Sequence, residues 1–243
     1  MRILIIRHGD PDYANDTLTE KGHKEAQLLA QKLGKEKIDY IYCSPLGRAK
    51  ETCAYTAKAL GKEKDVVIKD FLQEFHYLVD LPTGEKNVIT WDLLPDYWTN
   101  VPEMYDIDKW CEQPFMKAGK IDQYYKWVCD GLDEILKKHG YVREGKYYRV
   151  KEGNQDTIAI FCHFGLTCVL LSHLFSVPPT VLTHAFCAAP TSVTTLYSEE
   201  RRQGKAYFRC ASLGDISHLY VAGEEPSFSA RFCETFGNGD RED

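Results

Sequence analysis

"RILIIRH", residues 2–8, runs an aliphatic stretch straight into two adjacent side chains that can both carry positive charge. Aliphatic residues without polar alternation suit a parallel strand buried on both faces. The pattern that follows is helical. In "LTEKGHKEAQLLAQKLG" (18–34), Thr19 is an N-cap and Glu20 favours a helix start. Ala26, Leu29, Ala30 and Leu33 recur at helical spacing, and Gly34 can end the helix. "DYIYCSP" (39–45) reads as a second strand stopped by Pro45, "LGRAKETCAYTAKALG" (46–61) as a second helix and "DVVIKDF" (65–71) as a third strand.

Strands alternating with helices imply a parallel sheet with helices on both faces. The rhythm returns in "DTIAIFCHF" (156–164), a strand, and "GLTCVLLSHLFS" (165–176), a helix. "TSVTTLYSE" (191–199) and "KAYFRCASL" (205–213) read as two further strands. Between about 75 and 150 the rhythm breaks. That stretch holds all four tryptophans and a clear helix, "IDQYYKWVCDGLDEILKKHG" (121–140). The expected fold is α/β, a three-layer sandwich with a mostly parallel central sheet. Residues 1–243 are read as a single domain. The aromatic-rich insertion at about 75–150 is read as a helical cap over the C-terminal strand edge. "GNGDRED" (237–243) reads as a loose polar tail.

Composition narrows the function classes. The chain has 243 residues, 44% hydrophobic and 27% charged, within the ordinary globular range. A net charge of −6 argues against broad nucleic-acid binding, so any anionic ligand must be held by local attraction. No apolar stretch is long enough to span a bilayer. Nine cysteines without a Cys-x-x-Cys pair, several inside apolar runs, read as buried thiols in a reducing compartment; the expected location is cytoplasmic.

In open α/β sheets, ligands bind at the carboxyl ends of the strands. Three strand ends meet that rim: Arg7-His8-Gly9, Ser44-Pro45-Leu46-Gly47-Arg48 and His163-Phe164-Gly165. Each delivers an arginine or a histidine. Burying such groups unpaired is costly, whereas an anion at the rim would partner them. Phosphate matches the arginine fork. One contact between unit charges 4 Å apart is worth about 4 kcal/mol at an effective dielectric of 20.

With "LIIRHG", "SPLGRAKET" and "IAIFCHFG" in this order, the chain resembles the histidine phosphatase superfamily, in its phosphoglycerate-mutase-like branch. The resemblance covers about 1–75 and 155–200. It implies that His8 is the nucleophile and forms a phosphohistidine, its other ring nitrogen held as N–H by a carbonyl. Arg7, Arg48 and His163 would bind the phosphoryl oxygens, and Gly9 and Gly165 would keep the backbone clear of the substrate. Glu74 would give a proton to the leaving oxygen and then activate water, with Asp10 as the rival donor. The acid-phosphatase branch carries an Asp after its second histidine, where this chain has Phe164. Many relatives carry a phosphate-contacting Asn six residues after the nucleophile. Here that place is Ala14, and Asn15 is a candidate ligand one position on.

The expected function is a metal-independent phosphatase for a small phosphorylated metabolite. No metal site, cofactor, nucleic acid or membrane is implied, and a homodimer is left open. "EFHYLVDLPTGEKN" lacks the segment that characterises the glycolytic mutases, so a phosphoglycerate-type mutase is the alternative. A third reading is a phospho-ligand-binding protein without catalysis. His23 and His139 are placed on helix surfaces, His173 and His184 in structural roles and His76 on a partly exposed loop. His218 is left unassigned. "DPD" (10–12) and "DID" (106–108) read as solvated turns. The aromatics Trp91, Tyr97, Trp98, Tyr105, Trp110, Tyr124, Tyr125 and Trp127 either wall a cleft or form the core of the insertion, the core being favoured.

Overall fold

The computed structural model describes residues 1–229, so the tail read in "GNGDRED" and Cys233 lie outside the described residues. Its centre is an eight-stranded sheet. The strands are β1 (Arg2–Arg7), β2 (Tyr40–Cys43), β3 (Val66–Ile68), β4 (Tyr141–Glu144), β5 (Tyr147–Val150), β6 (Thr157–Cys162), β7 (Val193–Arg202) and β8 (Gly204–Asp215). Their spatial order is β3-β2-β6-β1-β7-β8-β5-β4.

The sheet is mixed. β3, β2, β6 and β1 are mutually parallel, because each of the first two crossovers carries a helix, α1 (Glu20–Leu33) or α2 (Gly47–Leu60). β7, β8, β5 and β4 run antiparallel to their neighbours. Two tight hairpins impose this, turning through left-handed glycines: Gly145 at φ 61° and Gly204 at φ 82°.

Helices cover both faces. Leu4 and Ile6 pack with Leu29, Leu33, Ala49 and Ala57 on the α1/α2 side. Ile3 and Ile5 pack on the other side with α3 (Ile121–Lys138) and α4 (Phe164–Phe175). One strand thus feeds two cores, which is why its sequence shows no alternation. Thr19 caps α1 as expected, its side chain accepting the Gly22 N–H.

Residues 75–150 are more varied than a helical cap. They open with a short ladder of Leu78–Val79 against Val88–Ile89. Helical turns follow at Pro95–Trp98 and Pro114–Ala118, then α3. The last ten residues join the main sheet as β4 and β5, with Tyr141, Tyr148 and Val150 buried. His139 is not on a helix surface. It is buried at the end of α3, where it bonds the Tyr42 hydroxyl at 3.1 Å and Asp156 at 3.0 Å. Among the described residues, no helix is long and apolar enough to cross a membrane.

Candidate active site

Register builds the site. Arg7 pairs with Cys162 across β1 and β6, so His8 and His163 leave the sheet side by side, ring centroids 5.1 Å apart. Cys43 pairs with Phe161, which brings Ser44 to the same edge. The three strand ends singled out in the sequence therefore meet at one place.

His8 is 2% exposed. Its Nδ1 lies 2.7 Å from the Gly9 carbonyl. A carbonyl only accepts, so Nδ1 carries the hydrogen and Nε2 keeps its lone pair. Burial holds His8 well below the ordinary imidazole range; Arg7 and Arg48 push the same way, against the Gly9 carbonyl. The ring is neutral at pH 7, the state in which it can attack phosphorus.

Around it lie buried groups with unused hydrogen-bonding capacity. His163 is fully buried and held well below the usual imidazole range, by burial first and then by His8, Arg48 and Arg7. Its Nε2 lies 2.8 Å from Ser44 Oγ, which also accepts the Leu46 N–H. Ser44 Oγ has its own hydrogen to donate to Nε2, and in that tautomer Nδ1–H is left as a donor. Among the described residues, His163 Nδ1, Arg7 Nε and Arg48 Nε have no hydrogen-bond partner. Three such atoms gathered around one histidine suit a ligand that supplies the acceptors.

The two guanidiniums are held in place from outside the site. Arg7 donates to the carbonyls of Ala188 and, at 3.1 Å, Ser229. Arg48 donates to Asp16 at 2.6 Å and lies 5.4 Å from the centre of the Tyr13 ring. Both arginines line a cleft of about 490 Å³, within the ~300–1,000 Å³ of small-molecule sites.

Glu74 lines the same cleft. Its Oε1 accepts the N–H groups of Phe75 at 2.8 Å and Leu166 at 2.9 Å, and Oε2 that of Gly165 at 3.4 Å. The first turn of α4 thereby orients the carboxylate. Gly165 is required here by space: a Cβ would stand 2.9 Å from both Glu74 Oε1 and the Trp91 ring. Gly9 is tight for another reason, since its Cβ would meet the Gly22 carbonyl of α1 at 2.8 Å.

Two candidates face elsewhere. Asp10 accepts hydrogen bonds from the hydroxyls of Thr19, at 2.6 Å, and Ser227. It closes the start of α1 and does not line the cleft. Asn15 is exposed and its amide donates to Asp12 at 2.7 Å. The loop instead turns Asp16, at φ 50°, onto Arg48 and the Gly47 N–H.

The residues overlooked in the sequence are those that hold others. Ser44 bonds His163 Nε2 at 2.8 Å. Thr52 accepts the Gly9 N–H at 2.9 Å and fixes the loop beside His8. Both belong to "SPLGRAKET", whose hydroxyls were the available signal. Of the eight aromatics weighed between 75 and 150, Trp91 lines the cleft, whereas Trp110 is core, and Tyr97, Trp98, Tyr124 and Tyr125 pack against that core. His76 is exposed and also lines the cleft.

Residues 3–105 match the family model described as "Histidine phosphatase superfamily (branch 1)". That span contains Arg7, His8, Arg48 and Glu74 in the arrangement above. Through residue 105 the chain is thus similar to the histidine phosphatase superfamily. Two relatives extend the comparison. "Phosphoserine phosphatase 1" of Hydrogenobacter thermophilus is 27% identical over 57% of this chain and 66% of its own length. "Probable phosphatase C1687.21" of Schizosaccharomyces pombe is 25% identical over 90% of this chain and 95% of its own. Among solved structures, a phosphoserine phosphatase mutant of Entamoeba histolytica in complex with phosphoserine superposes with a TM-score of 0.60 at 21% identity. It covers 90% of this chain and 98% of that one. The last likeness is one of fold, and it extends past residue 105 to the strand that ends just before His163.

Proposed function

We propose that this histidine-phosphatase-like protein hydrolyses a small phosphomonoester through a phosphohistidine on His8. The observation that carries the reading is the neutral His8, anchored by the Gly9 carbonyl, beside three buried donors without partners. A phosphoryl group has the oxygens to satisfy them.

In the first step, His8 Nε2 bonds to phosphorus as the bond to the alcohol oxygen breaks. Arg7, Arg48 and His163 Nδ1–H stabilise the charge on the equatorial oxygens. Glu74, protonated at the start of the cycle, gives its proton to the leaving oxygen. In the second step, the Glu74 carboxylate takes a proton from water as that water attacks phosphorus. The P–N bond breaks, and inorganic phosphate leaves with His8 neutral again. Water and the ester are consumed; alcohol and phosphate are formed.

His8→Ala is expected to abolish phosphate release while the far-ultraviolet circular dichroism stays that of a folded chain. The unmodified enzyme should accumulate an acid-labile phosphoenzyme in rapid-quench experiments. Full activity in His8→Ala overturns the assignment. Because arginines supply the positive charge, activity should persist in excess chelator. Relatives named as phosphoglycerate mutases match about a third of this chain. A mutase would give an isomerised phosphoester and no free phosphate. The eight described cysteines are all unpaired, which supports a reducing, cytoplasmic location.

A further inference from the structure

We propose that the alcohol part of the substrate is an uncharged group bearing an aromatic ring. The proposal rests on the phosphatase reading above and names the substrate class that the rest of the cleft accepts.

The cleft divides into two chemistries. Arg7, Arg48 and Glu74 account for the reacting phosphoryl group. The other walls are Tyr13, Leu46, Ile89, Trp91 and Phe164, with His76 at the edge. Flat apolar walls favour a ring, which buries a large area at low entropic cost. The position of Trp91 matters most. Both its ring and Glu74 Oε1 lie 2.9 Å from where a Cβ on Gly165 would stand. The alcohol part therefore leaves past Trp91 as it takes its proton from Glu74.

Among the described residues, a substrate carboxylate finds no further cation in the cleft. Arg7 and Arg48 line it, and both are committed to the phosphoryl group. Arg7 donates from both terminal nitrogens to Ala188 and Ser229, and Arg48 from one to Asp16. His76 bonds the Glu74 backbone carbonyl at 2.9 Å. Desolvating a carboxylate against Trp91 and Ile89 without a cation is unfavourable. The relatives named as acting on phosphoserine thus differ from this chain in the ligand they hold.

The test compares kcat/KM for benzyl phosphate and phosphoserine, both esters of primary alcohols. Benzyl phosphate should be the better substrate by at least about tenfold. Trp91→Ala should lower that ratio by about tenfold, and Trp91→Phe should keep most of it. Equal or faster turnover of phosphoserine, or a ratio unchanged in folded Trp91→Ala, overturns the proposal. If neither ester releases phosphate, it is the phosphatase reading that fails. Calorimetric titration of the unmodified protein then decides the ligand class. Tighter binding of benzyl phosphate supports it; equal or tighter binding of phosphoserine overturns it.

Discussion

At the scale of single residues, the site works by fixing which nitrogen carries a hydrogen. The Gly9 carbonyl does this for His8, and a hydrogen donated by Ser44 would do it for His163. One hydroxyl separates a donor aimed at the phosphoryl group from an undirected imidazole. Ser44→Ala should therefore lower kcat by up to about a hundredfold while KM changes less. Steady-state kinetics on the folded variant check this, and an unchanged kcat would show that the His163 tautomer is set elsewhere. Glu74→Gln keeps the shape and removes the transferable proton. Its kcat should fall by about 10²–10⁴-fold, with the loss largest for esters of the most basic alcohols. Equal losses across a leaving-group series would count against proton donation.

At the scale of elements, two close approaches hold the catalytic loop. The strand-end loop after β1 lies against the backbone of α1, where a Cβ on Gly22 would stand 2.2 Å from the Asp10 carbonyl oxygen. Backbone cannot swing aside as a long side chain can, so Gly22→Ala must displace the loop or the helix. We expect a loss of about 1–3 kcal/mol in denaturant unfolding, together with reduced activity, because His8 sits on that loop. Wild-type stability in Gly22→Ala would show that the approach can relax. Gly165→Ala acts at α4, where the added methyl would push on Glu74 and Trp91 together. Its effect should appear in kcat with stability little altered.

Across the whole molecule, distant chain segments depend on one another. Glu25 is fully buried and accepts the N–H groups of Asp10 at 3.0 Å and Ser227 at 2.9 Å. It ties the loop after β1 to a segment some two hundred residues later, and that segment also supplies the Ser229 carbonyl to Arg7. Glu25→Ala leaves two buried N–H groups unpaired and should cost about 1–3 kcal/mol for each, with KM raised as Arg7 loses its support. The pH dependence of stability is collective. His8, His163, His184 and His218 are all held below the ordinary imidazole range, burial being the largest cause for each and His218 falling to about 4. They are neutral when folded and free to protonate when unfolded. Below about pH 6.5 the unfolded chain binds more protons, so stability falls as pH drops through that value. Each histidine contributes at most about 1.4 kcal/mol per pH unit. Burial raises Glu25 and acts in the opposite sense. The denaturant midpoint should therefore decrease steadily from pH 7 to 5, and a flat profile would contradict neutral burial of these rings.

Periodicity alone determined the alternation of strands and helices, the Thr19 cap and the three strand ends at one rim, since these depend on local spacing and on the direction of parallel strands. The motifs then singled out His8, Arg7, Arg48 and His163, because such side chains are too costly to bury without a partner. Only tertiary structure decided that Asp10 faces Ser227, and that Trp91 stands at the cleft while Trp110 lies in the core. It also decided the antiparallel half of the sheet, built by hairpins whose edge partners are far away in the chain. Spacing specifies which face of an element a residue occupies. What that face meets is set by register and packing between segments more than a hundred residues apart, and no local pattern encodes it.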